Sequence, residues 1–126
     1  MGIKLNENEF DKVVQRAVER IPEEIRKYLV NIVITVEKHP SKHFMEEMQL
    51  AENEPLLGLF VGVPLPERSV TNPPLYPDMI YLFQEHLEAM CESFEELEEE
   101  IEVTVVHEVA HYIGMTEERL AELGYG

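Results

Sequence analysis

The sequence predicts an α+β fold, a small sheet of three or four strands packed against two main helices. Three observations carry this reading. An amphipathic helical stretch opens the chain, three short apolar runs fill its middle, and a long capped helix followed by a shorter one closes it. With 126 residues the chain is expected to form one domain, 1–126, around a single modest core.

From Glu7 to Arg20, Phe10, Val13, Val14, Ala17, Val18 and Ile21 recur at helical spacing. Pro22 interrupts the pattern, and Glu23 to Tyr28 has the composition of a further short helical turn. Leu29 to Val36 (LVNIVITV) is rich in β-branched residues and reads as a buried strand closing near His39-Pro40. Ser41 to Pro55 is mixed and polar, equally compatible with helix and loop. Leu56 to Val63 (LLGLFVGV) reads as a second strand. Five prolines between Pro64 and Pro77 then require an irregular surface stretch. Met79 to Phe83 (MIYLF) is the third strand, with a short helix expected around Glu85 to Met90. Ser93 is placed to cap a long helix whose first turn carries Glu95 and Glu96, acidic residues that suit the positive end of the helix dipole. That helix is predicted to run to Ile113, where Gly114 can end it in a left-handed conformation. Thr116 can cap a last short helix, Glu117 to Leu123.

The net charge of −16 narrows the choice of partners. It keeps a protein soluble and repels phosphate backbones, so no nucleic-acid partner is expected. No run approaches the roughly 18 to 20 apolar residues of a membrane span. The N-terminus lacks a basic segment followed by an apolar one, and Cys91 is the only cysteine. These features predict a cytoplasmic protein with no membrane partner.

The chemistry-bearing motif is His107-Glu108-Val109-Ala110-His111, which reads HExxH. On a helix, residues four apart share a face, so both imidazoles can reach one ion, and imidazole nitrogen suits zinc. Glu108 leaves the helix at a different azimuth. It can lean over the open side of the ion, where a carboxylate can take a proton from water. With 5 His and 24 Glu in the chain, HExxH arises by chance in roughly 3% of shuffled sequences, so context must strengthen it. Val105, Val109 and Ile113 form a stripe that anchors the helix on the side away from the histidines. Gly114 follows His111 by three residues, where a turn swings the chain back toward the motif. The extended pattern is HExxHxxGxxE, similar to the HExxHxxGxxH of metzincin peptidases with Glu117 in place of the third histidine. A carboxylate is also a zinc ligand, so Glu117 is the candidate third metal ligand, with adjacent Glu118 or water as alternatives. One zinc ion per chain is expected, held by His107, His111 and Glu117, with Glu108 as the catalytic base.

The chain resembles the minimal zincin-like metallopeptidase family of small bacterial proteins. The resemblance is carried by Ile21-Pro22-Glu23-Glu24, by Asn31 to Val36, by Leu56 to Arg68 (LLGLFVGVPLPER), by Thr104 to Gly114 around HExxH, and by Leu123-Gly124-Tyr125. It implies a minimal zincin-like fold, in which a small sheet packs on an N-terminal helix and on the HExxH active-site helix. It also implies a zinc-dependent hydrolase, most plausibly a metallopeptidase acting on a peptide or protein substrate. Members usually carry Asp where Glu117 stands, one methylene shorter. Zincins hold their peptide along an edge strand beside the active helix, a role that falls here to Met79–Phe83. Only 12 residues follow Gly114, too few for the Met-turn of larger zincins; Met115 is therefore expected to pack in the core. The alternative function is a metal-stabilised binding or regulatory module with the same fold and weak or no catalysis.

The remaining candidates read as structural. His39 and His43 are four apart, but Pro40 between them disfavours a shared helix face. His86 is expected at the surface, and Cys91 as a small buried hydrophobe. Arg68 is expected to pair with an acidic side chain, and Tyr112 and Tyr125 to pack as aromatics rather than stabilise an oxyanion.

Overall fold

In the computed structural model, residues 2–47, 56–62 and 78–125 are described. The Pro64–Pro77 stretch, Arg68 included, lies outside the described residues, as do residues 48–55 of the polar segment and the side chain of His43.

Helix α1 (Glu7–Glu19) begins where Asn6 and Glu9 close a reciprocal capping box, each side chain accepting from the other residue's backbone N–H. Its buried face is Phe10, Val13 and Ala17, as the spacing predicts. Pro22 starts the short α2 (Glu23–Arg26), which tightens into a 3₁₀ turn over Lys27–Asn31. Leu29, Val30 and Asn31 thus belong to this turn rather than to the first strand. Val30 points to solvent at 84% exposure, so its β-branched shape carries no strand here.

Strand β1 (Ile32–Glu37) is followed by α3 (Lys42–Glu47), β2 (Gly58–Val61), β3 (Asp78–Phe83) and α4 (Gln84–Ala89). The sheet order is β1-β3-β2. β1 runs parallel to β3 from Ile32 beside Asp78 to Glu37 beside Phe83, and β2 runs antiparallel to β3 with Phe60 opposite Ile80. The third strand of the sequence is therefore central, and the expectation that Met79–Phe83 forms the substrate edge is corrected: β2 is the edge strand packed against the HExxH helix. An almost wholly apolar run suits the central place, since both of its edges are paired and Ile80, Leu82 and Phe83 are fully buried.

Helix α5 (Phe94–Ile113) is the centre of the core. Ser93 caps it, accepting from the Glu96 N–H at 3.1 Å. Leu97, Ile101, Val105, Val106, Val109 and Ala110 are all without solvent exposure, so α5 buries more than the single stripe read from the sequence. α1 lies along α5 on one side and β2 approaches it on another. Gly58 permits that approach, because a Cβ there would run into the Thr104 methyl. Among the described residues no helix is long and apolar enough to cross a membrane.

Gly114 ends α5 at φ 71°, the left-handed conformation expected of it. Thr116 then caps α6 (Glu117–Glu122), accepting from the Arg119 N–H. A side chain at Gly114 would meet the steric cost of left-handed backbone. Gly114→Ala should therefore lower unfolding stability by about 1 to 2 kcal/mol. In urea unfolding this appears as a lower midpoint at unchanged slope, and an unchanged midpoint would contradict it.

Candidate metal centre

His107, Glu108 and His111 all lie on the last two turns of α5, before the Gly114 turn. The helix is fixed from behind by Val105, Val106, Val109 and Ala110, so the backbone that carries the motif is rigid. Tyr112 adds to this anchor: it is 3% exposed and its ring packs on Phe60 of β2, with centroids 5.2 Å apart.

Glu108 is the most constrained of the three side chains. Its Oε1 accepts a 2.7 Å hydrogen bond from the backbone N–H of Phe60. The other oxygen, Oε2, lies 3.8 Å from His111 Nδ1. Phe60 N–H points away from β3: the Leu57 carbonyl accepts from Phe83 N–H, and in an antiparallel ladder the residue three positions on turns its backbone groups to the opposite edge. The carboxylate thus bridges the active helix and the sheet edge. Burial raises the Glu108 pKa above the ordinary carboxylate range, opposed by the Phe60 hydrogen bond and then by the two histidines.

The histidines differ in setting. His111 is open to solvent, with 69% of its side chain exposed. His107 is half-buried, and its Nε2 lies 2.8 Å from the backbone carbonyl oxygen of Tyr125. The Tyr125 hydroxyl in turn donates to Glu102 Oε2 at 2.5 Å, and Glu102 Oε1 is paired with Arg20 Nε of the α1 C-terminus at 3.0 Å. Burial and the Glu102 carboxylate push the Tyr125 hydroxyl well above its usual pKa.

The donor set suits zinc in kind: two imidazoles one helical turn apart, beside a carboxylate with one oxygen not committed to the sheet. Glu117 stands at the start of α6 with its neighbour Glu118, both exposed. Among the described residues, no three His, Cys, Asp or Glu side chains are gathered closely enough to hold an ion.

The other candidates fall outside this group. His39 is exposed ahead of α3. His86 is not a free surface residue as expected: it is half-buried, and its Nδ1 lies 3.1 Å from the Leu56 backbone nitrogen and 2.9 Å from the Leu56 oxygen, fixing the chain where it approaches β2. Cys91 is buried, which raises its thiol pKa, as expected of a core residue rather than a nucleophile. Met115 packs against the core. A cavity of about 700 Å3 lies between residues 2–7 and α4 and shares no lining residue with α5. There Gln84 and Glu88 are committed to the backbone of Leu5. The Phe60 amide and the Tyr125 carbonyl are the site groups that sequence reasoning missed; both are backbone atoms, which no side-chain motif encodes.

The family model of the zincin-like metallopeptidases matches residues 29–126, from the 3₁₀ turn before β1 through the whole HExxH helix and beyond. No curated protein matches the chain.

Proposed function

Since the chain belongs to the zincin-like metallopeptidase family, we propose that it is a zinc-dependent peptidase whose reaction centre is His107, Glu108 and His111. The observation that carries this reading is the placement of Glu108. Its carboxylate is half-buried beside the two histidines and held by the sheet edge where a peptide substrate would pair.

A zinc ion held by His107 and His111 would supply the positive charge that polarises a carbonyl and makes a water molecule more acidic. The remaining work falls to this chain's own groups. Phe60 N–H holds Oε1 of Glu108, which leaves Oε2 to accept the proton of the attacking water and return it to the departing amine. Partial burial strengthens Glu108 as a base relative to a solvated glutamate. The outer edge of β2, whose Phe60 N–H is committed to Glu108, is where an extended peptide would lie, using the outward backbone groups at Gly58 and the Phe60 carbonyl. A charge of −16 favours basic over acidic peptides and argues against nucleic acid. The single, buried cysteine suits a reducing cytoplasm.

The test is a diverse peptide library incubated with protein carrying one zinc per chain. Cleavage that a chelator stops and zinc restores supports the peptidase. Stoichiometric zinc without cleavage of any peptide replaces it with a metal-stabilised binding module of the same fold.

Glu117 is the proposed third ligand, reached across the Gly114 turn. Glu117→Gln is then expected to weaken zinc binding and Glu117→Asp to restore much of it, read by equilibrium dialysis. Wild-type affinity in Glu117→Gln would pass the position to Glu118 or to water.

A further inference from the structure

We propose that the cavity between the N-terminal arm (residues 2–6) and α4 binds the α-ammonium group of a free amino acid or short peptide, held by Glu88 and Gln84. The cavity shares no lining residue with α5, so the inference stands apart from the metal centre and from the peptidase reading.

The cavity holds about 700 Å3, within the range of roughly 300 to 1,000 Å3 that small-molecule sites occupy. Its walls come from two pieces of chain far apart in sequence. The arm lies so close over the end of α4 that a Cβ on Gly2 would run into the Glu88 carbonyl and the Ala89 backbone. Glu88 and Gln84 stand one helical turn apart on α4 and line the cavity, each only 7% exposed. Each commits one atom to the arm. Glu88 Oε2 accepts from Leu5 N–H at 2.8 Å, and Gln84 Nε2 donates to the Leu5 carbonyl at 3.0 Å. Gln84 Nε2 also donates to Glu88 Oε2 at 3.1 Å. Glu88 Oε1 and Gln84 Oε1 are left without a hydrogen-bond partner among the described residues, and neither is sealed from solvent.

The needs of those two oxygens decide the ligand. Both can only accept, so the occupant must bring N–H or O–H donors. Glu88 is a charged acceptor on a largely buried side chain, and charge-assisted hydrogen bonds are roughly twice as strong as neutral ones. A primary ammonium matches it in charge and offers three donors, enough for both oxygens and for water. Lys4 and Lys38 also line the cavity, and neither has an ion-pair partner among the described residues. Lys38 is tied to α4, its carbonyl accepting from Glu85 N–H at 2.9 Å. Two lysines in the lining oppose a ligand with a second cationic end and favour one that carries a carboxylate or carbonyl beside its ammonium. That separates an amino acid from a diamine. Ile3, Leu5 and Ala89 supply apolar surface for a side chain.

Titration of the metal-free full chain with leucine, followed in ¹⁵N–¹H correlation spectra, tests this. The expected result is one saturable site whose shifts cluster at residues 2–6 and on α4, with the same binding when zinc is present. Leucinamide keeps the ammonium without the carboxylate and should bind more weakly. N-acetylleucine, which lacks the ammonium, and diaminobutane, which has two cationic ends, should not bind. Leu-Gly-Gly separates the two sources: binding at least as tight as leucine supports a peptide N-terminus, and weaker binding supports a free amino acid. Glu88→Gln keeps an oxygen for Leu5 N–H but loses the charge, and should weaken leucine binding by about 10-fold or more. Should Glu88→Gln fail to fold, Ala89→Leu carries the comparison: it stands at an exposed position, leaves those hydrogen bonds intact and narrows the cavity. The proposal is overturned by leucine binding that does not saturate at millimolar concentration, or by wild-type affinity in either folded variant. N-acetylleucine or diaminobutane binding as tightly as leucine overturns it as well. So do shifts confined to His107, Glu108 and His111, since leucine is then a product seated at the HExxH helix and the peptidase reading still stands. A protein that cleaves no peptide yet binds leucine on α4 removes the peptidase reading and supports this one.

Discussion

Glu108→Gln is expected to keep its zinc and lose turnover on every peptide the wild type cleaves. Glutamine matches glutamate in size, and its amide oxygen can still accept from Phe60 N–H, so the bridge between α5 and β2 survives. What it cannot do is take a proton at the position of Oε2. Removing a positioned general base costs about 10²- to 10⁴-fold in rate, equivalent to about 3 to 5 kcal/mol of activation free energy. The loss should fall on kcat/KM while zinc affinity and thermal stability stay close to wild type. Undiminished turnover would remove Glu108 from the mechanism. Turnover lost together with zinc would mean that Glu108 holds the metal rather than the proton.

How legible each feature is in the sequence follows the range of the interaction that decides it. α1 and α5 were legible because local signals agree on them: Asn6 and Ser93 supply caps, apolar residues repeat at helical spacing, and Gly114 sits where a left-handed residue is needed. HExxH was legible for the same reason, since two side chains four apart on a helix need no tertiary information to share a face. The strands were harder. Leu29, Val30 and Asn31 have strand-forming neighbours, yet the preceding short helix carries on through them as a 3₁₀ turn. Which strand lies at the edge is set by pairing between β1 and β3, far apart in sequence, and no local pattern in MIYLF reports it. The groups that tune the site were illegible for a different reason. Phe60 acts through its backbone N–H and Tyr125 through its carbonyl, groups that every residue type but proline presents alike. Tyr125 did carry one signal, a phenol near the end of a short helix, and that phenol turns out to bond Glu102 rather than face a reacting carbonyl.

Replacing the histidines should abolish the metal centre while leaving the fold in place. His111 is exposed and His107 half-buried, and neither belongs to the buried core around Val105, Val106 and Val109. Truncation to alanine therefore removes little packing, and alanine favours the helix that carries both positions. The effect on metal is of another order. Loss of an outer partner of a ligating histidine already costs about 10- to 100-fold in affinity. Loss of a ligand itself should exceed that, and two ligands lost together should leave no site-specific binding. The double variant His107→Ala/His111→Ala is expected to show no bound zinc in equilibrium dialysis, where the wild type shows about one per chain. Each single variant should bind at least about 100-fold more weakly than wild type. Circular dichroism of the metal-free proteins supplies the control, and all three variants should retain the wild-type helical signal. Zinc bound by the double variant at wild-type stoichiometry and affinity would place the ion elsewhere and remove the basis for a peptidase at HExxH.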